Sequence, residues 1–155
     1  MTSQLYESED EIRRVVERFE SCEFKPDEFK HQHHLTVALW YLATNDKATA
    51  IDRMRKQLKV FTSHYQVNAY HETKTIFWME VASTFTEQNS TTSLCDLLNR
   101  LTAAYGSSKD ILNFYSEELL NSDKARDTWV EPDLKSLSKN TTSVQPANSQ
   151  TSISS

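Results

Sequence analysis

The chain has 155 residues, one glycine, three prolines and a formal net charge of −5. One glycine leaves little material for the tight turns of a sandwich, barrel or doubly wound sheet, and none for a glycine-rich phosphate loop. The acidic balance gives nucleic acid no electrostatic footprint. The expectation is an all-α, single-domain helical bundle of about five main helices with an irregular C-terminal wrap, spanning 1–137.

The first helix is announced by Ser8-Glu9-Asp10-Glu11, a capping-box pattern, followed by a stripe of Ile12, Val15, Val16 and Phe19. Lys25-Pro26-Asp27 breaks the chain, and Asp27 is expected to cap a second helix running to about Thr44. Asn45-Asp46 ends that helix and caps a third, whose Ile51, Met54, Leu58, Phe61 and Tyr65 recur at three-four spacing. Its basic run, Arg53, Arg55, Lys56 and Lys59, reads as a solvated face that the acidic Glu7–Glu11 stretch partly neutralises. Asn68 is expected to cap a fourth helix, to about Glu87, whose apolar Ile76–Ala82 stretch marks it as the most buried. The fifth carries Leu94, Leu97, Leu98, Leu101 and Tyr105 and stops at Gly106.

Beyond Gly106 the pattern loosens. Ile111, Leu112, Tyr115, Leu119 and Leu120 suit a short helix, Ser122 caps one more turn, and Trp129–Leu134 reads as an extended wrap. Residues 138–155 hold thirteen Ser, Thr, Asn or Gln and a single charge, Lys139, so they are expected to form a disordered tail. No basic-then-apolar leader and no bilayer-length apolar run is visible, which predicts a cytoplasmic protein without a membrane partner. Cys22 and Cys95 lie far apart and form no CxxC, so neither a disulfide framework nor a zinc knuckle follows.

Four of the five histidines fall in two groups, His31, His33 and His34 opening the second helix and His71 opening the fourth. His31 and His34, three apart, share a face with Ala38 and Leu42, which should point inward. His33 projects elsewhere and is expected to be exposed. Short connections make neighbouring helices antiparallel, so helices two and four start at the same end of the bundle. His31, His34 and His71 should therefore converge in one pocket, with His33 and His64 outside it. The segment after Gly106 begins at that end and brings Tyr115 within range.

Helix N-termini and partial burial both favour neutral imidazole, the form that binds a metal or accepts a proton. Three neutral histidines suit a divalent transition metal such as Zn, Fe or Mn. Glu72 stands beside them as ligand, orienter or general base, Thr75 places a hydroxyl one turn after His71, and Tyr115 is a candidate donor. Three readings stay open: a metal-dependent enzyme acting on a small molecule, a metal-free small-molecule or acid–base site, and a helical adaptor with structural histidines.

Four strings carry a resemblance: Phe29-x-His31-x-x-His34-Leu35; Tyr70-His71-Glu72-Thr73-x-Thr75-x-x-Trp78; Tyr115-Ser116; and Trp129-Val130-Glu131-Pro132-Asp133-Leu134. From about Phe19 to Leu137 the chain resembles a family of small bacterial conserved hypothetical proteins. The resemblance implies that His31, His34, His71, Glu72 and Thr75 belong to a common pattern, and supplies no reaction.

Overall fold

The computed structural model describes residues 5–89 and 93–137, and the expected polar tail lies outside them. Five long helices come first: α1 (Glu9–Glu20), α2 (His31–Thr44), α3 (Lys47–His64), α4 (Glu72–Gln88) and α5 (Leu94–Tyr105). A 3₁₀ helix (Ser108–Asn113), α6 (Glu117–Leu120) and α7 (Asp123–Asp127) then lead into an extended segment. The described residues contain no strand, as the all-α expectation requires.

The apolar stripes of α1, α3 and α5 are the buried faces. Ile12, Val16 and Phe19 face the core from α1, Met54, Leu58 and Phe61 from α3, and Leu97, Leu98 and Leu101 from α5. The central helix is α2, which packs against α1, α3, α4 and α5. Leu35 to Leu39 are buried without interruption. That corrects the expectation that α4 would be the most buried, since Ile76, Trp78 and Glu80 keep partial exposure there. An element with neighbours on every side has no polar face to present, and α2 carries none after its histidines.

Helix starts differ from the sequence reading in two places. Asp27 does not cap α2. Pro26–Glu28 forms a turn in which the Glu28 and Phe29 amides both donate to the Lys25 carbonyl, and Phe29 stacks on Phe19 at 4.6 Å. The helix begins after it, and the His33 Nδ1 accepts the Lys30 amide at 2.9 Å. Nor does Asn68 cap α4, which begins at Glu72 with His71 as its N-cap. At α1 the Ser8 hydroxyl accepts the Glu11 amide as expected, but Glu11 reaches back one residue further, to the Glu7 amide. Asp46 holds the N-cap position of α3 without a side-chain bond.

Two non-glycine residues, Cys22 and Gln66, adopt positive φ, 61° and 56°. Each follows a helix end and closes a Schellman pair. After α3, Val67 donates to the Thr62 carbonyl and Gln66 to that of Ser63, while after α1 Glu23 and Cys22 do the same to Arg18 and Phe19. The reversal at Gln66 turns the chain so that Val67, Ala69 and Tyr70 run along one side of a cavity. Gly106 ends α5 with a negative φ. Its requirement is space, since a Cβ there would meet the Thr102 carbonyl oxygen at 2.5 Å.

The C-terminal wrap is tied down by polar bonds. Tyr115 is fully buried and its hydroxyl donates to the Val130 carbonyl at 2.6 Å. Asp133 accepts both the amide and the hydroxyl of Ser116, which holds its carboxyl below the usual range. The basic run of α3 is neutralised by Glu20, Asp52 and Glu72 rather than by the Glu7–Glu11 stretch, because those carboxylates lie on or against α3 itself. No helix among the described residues is long and apolar enough to cross a membrane.

Candidate functional site

The first turns of α2 and α4 meet at a cavity of about 360 Å³. His31 and His34 line it from α2, His71, Lys74, Thr75 and Trp78 from α4, and Met54, Leu58 and Phe61 from α3. Ser108, just after Gly106, reaches the same space. The shared end of helices two and four is therefore realised, and the segment after α5 does begin there. Most of the wall is apolar, and no Asp or Glu lines it among the described residues.

The histidines inside the cavity are not equivalent. His71 uses both ring nitrogens on the backbone. Its Nδ1 accepts the Lys74 amide at 3.2 Å and its Nε2 donates to the Leu120 carbonyl at 2.8 Å. It is the N-cap of α4 and a tie to α6, and burial, opposed by the Leu120 bond, holds its pKa below the ordinary value. The His31 Nε2 donates to the Tyr105 carbonyl at 2.9 Å, the last carbonyl of α5, which leaves Nδ1 as an acceptor. Its ring meets Trp78 edge-on at 4.5 Å. Burial lowers its pKa against that bond and against the Asp110 charge.

His34 has no hydrogen-bond partner for either nitrogen among the described residues. Its ring packs on Phe29 at 4.4 Å and otherwise faces the cavity. Burial, reinforced by His31 and His33, pulls its pKa down to about 3, so the imidazole is neutral at ordinary pH. A neutral imidazole carries one donor and one acceptor. Both face the apolar recess without a partner from the chain, on a residue that keeps partial exposure.

His33 and His64 stand outside the cavity, as the helical-face argument expects. His33 is not exposed, however. It lies half-buried between Phe24 at 4.8 Å and Phe29 at 5.9 Å, because its Nδ1 is turned back to the Lys30 amide.

The three candidate catalytic residues separate. Thr75 lines the cavity, buried, its hydroxyl donating to the His71 carbonyl at 2.8 Å. Glu72 does not line it. It turns to α3 and takes a two-pronged bond from Arg55, with Oε2 at 2.8 Å from Nη2 and Oε1 at 3.2 Å from Nε. It also accepts the Tyr70 hydroxyl at 2.5 Å. Burial alone would raise the Glu72 carboxyl, but the bonds from Arg55 and Tyr70 outweigh it and hold it low. Glu72 thus fixes Tyr70, which does line the cavity. Tyr115 is packed into the core between Phe77 and Trp129, away from the cavity, and burial pushes its hydroxyl pKa up.

Among the described residues no three His, Cys, Asp or Glu side chains are arranged to hold a metal ion. One reason is visible at His71. Both His71 nitrogens are bonded to backbone groups, so that ligand is already committed, whereas His31 spends only Nε2 and keeps Nδ1. The sequence pattern does not single out Lys74, and places Trp78 only within the apolar Ile76–Ala82 stretch. The signal for both lay in the string Tyr70–Trp78, where Lys74 and Trp78 follow His71 by three and seven, the spacing of a single helix face. No family model, curated protein or solved structure matches the chain.

Proposed function

We propose that the chain binds a small, largely apolar molecule in the cavity between α2, α3 and α4, with the neutral His34 imidazole hydrogen-bonding a polar group of that ligand. The observation that carries this reading is His34, whose ring nitrogens lack partners inside an apolar recess of about 360 Å³. A ligand that covers these nitrogens without pairing them leaves a hydrogen bond unmade at about 1–3 kcal/mol, so a molecule with a polar group placed at His34 is favoured. The volume lies at the small end of ligand pockets, about 300–1,000 Å³, and suits one ring system or a medium-length chain.

Binding is favoured over acid–base catalysis by the lining itself. A catalytic imidazole is ordinarily oriented by a further group, whereas His34 has none and Glu72 is engaged by Arg55 on the other side of Tyr70. The adaptor reading leaves the cavity without a role.

Native mass spectrometry of protein purified without a histidine tag, paired with elemental analysis, tests the proposal. A co-purifying small molecule that is lost from Leu58→Trp, in which the indole fills the cavity, is the expected result. Protein that carries no such molecule, and whose His34 ring resonances are unmoved by decanol, removes the reading. A stoichiometric transition metal retained through dialysis returns the site to His31, His34 and His71 as ligands.

A further inference from the structure

We infer that the ligand is an apolar carboxylic acid, its body held against Phe29, Leu58 and Phe61 and its carboxylate held at Lys74. This step rests on the small-molecule reading above and names the class of molecule. Lys74 is the one residue with a permanent charge among the described residues that line the cavity. It is exposed, and its ammonium makes no hydrogen bond or ion pair within the described chain. The neighbouring cations differ. Arg55 is held by Glu72 at 2.8 Å, Lys56 by Asp52 at 3.0 Å and Lys47 by Glu80 at 2.7 Å, while Lys59 sits over the Tyr70 ring at 5.0 Å.

Of the described residues that line the cavity, Lys74 is thus the one charged group, and the chain leaves it open at the rim. A second cation, Arg126, lies off the cavity wall with its guanidinium donating to the Asn68 carbonyl, and it too bears on His71. After burial, Lys74 and Arg126 both push the His71 ring away from protonation. Lys74 also stands in the first turn of α4, where the helix dipole favours an anion. The carboxylate two residues before it, Glu72, is engaged by Arg55 and Tyr70. A carboxylate brings a single negative charge to a single cation, and it accepts the N–H that neutral His34 has to give. An amine would meet Lys74 as a like charge. A plain alcohol fits the apolar wall but leaves the ammonium unanswered.

Three probes with one alkyl body separate these cases: decanoate, decanol and decylamine, each titrated calorimetrically into wild type and Lys74→Gln at neutral pH. Lys74→Gln should weaken decanoate about fivefold, the worth of one rim charge pair. It should leave decanol within about twofold and tighten decylamine. Because Lys74 is exposed the variant will fold, and its decanol affinity verifies that the cavity is intact. If decanoate and decanol change alike, or neither changes, the carboxylate assignment is overturned while the small-molecule reading stands. Tighter binding of decylamine than of decanoate to wild type overturns it equally. If none of the three binds wild type, the small-molecule reading itself fails and the carboxylate assignment goes with it.

Discussion

The two sides of α4 differ in how far the chain itself completes them. On the side facing α6, α7 and the wrap, the buried polar side chains are matched. Thr73 donates to the Thr128 carbonyl at 2.7 Å and accepts the Val130 amide at 3.1 Å, His71 donates to Leu120, and Tyr115 to Val130. On the side facing α2 and α3, Thr75 is bonded to the His71 carbonyl, but His34 lines the cavity unmatched and Lys74 stands open at the rim. The same helix therefore presents one face that is finished by the chain and one that is not. Matched groups fix a conformation, whereas unmatched groups in a cavity define what would complete it.

The largest effects should come from the solid core beside the cavity rather than from its wall. Leu98 is fully buried, and Leu98→Ala should destabilise by about 2–5 kcal/mol in urea unfolding. Leu58→Ala should cost less, because Leu58 already borders empty space and loses fewer neighbours. Equal losses at the two positions would mean that the cavity is closed in solution.

Acid sharpens the contrast next. His34 is neutral in the fold, with a pKa of about 3 against an ordinary 6.5. Above about pH 6.5 neither folded nor unfolded chain holds that proton, and the contribution is complete. As pH falls towards about 3 the unfolded chain takes up the proton and the folded chain does not, so stability is lost through that window, at about 1.4 kcal/mol per pH unit. Between about pH 7 and about pH 4.5 the loss from His34 should approach roughly 3 kcal/mol. His31, His33 and His71 are also held below the ordinary value and act in the same direction. The difference between wild type and His34→Leu across this range isolates the His34 part. Parallel pH curves would show that His34 protonates freely and is not enclosed.

The finished face should respond to loss of single bonds. Thr73→Val strands the Val130 amide and the Thr128 carbonyl, at about 1–3 kcal/mol. His71→Ala removes the α4 cap and the Leu120 tie, at about 1–2 kcal/mol. Amide exchange in the first turn of α4 and in α6 should rise together in His71→Ala, since one ring serves both. A rise in α4 alone would show that the tie to Leu120 contributes nothing.

Sequence pattern reached the unfinished face better than the finished one. The stripes of α1, α3 and α5 and the i, i+3 spacing of His31 and His34 are local periodicities, and the chain obeys them. The meeting of the α2 and α4 first turns followed from short connections. Where partners are distant in sequence the pattern is silent. Tyr115 pairs with Val130 fifteen positions on, and His71 with Leu120 forty-nine positions on, so both side chains looked available for chemistry. Histidine is also outside the usual N-cap residues, so the pattern points to Asn68 for a cap that His71 supplies. The cavity itself depends on how Met54, Leu58, Phe61 and Trp78 fail to fill the space between three helices, and no spacing rule encodes that.

The smallest expected effect decides the comparison. His34→Leu exchanges an enclosed, unpartnered imidazole for an apolar side chain of similar reach. No hydrogen bond within the chain is lost, because none is made, and the ring nitrogens face the cavity rather than packed core, so little is gained or lost by removing them. Folding stability near neutral pH should change by less than about 0.5 kcal/mol, or rise slightly. The ligand should nonetheless be lost, since the group that orients it has gone. His71→Ala predicts the reverse order, a marked loss of stability through the cap. The two histidines line the same cavity and differ in one respect, whether the chain supplies their partners. If His34→Leu costs as much as His71→Ala, His34 has a structural partner in solution, and the two sides of α4 are alike after all.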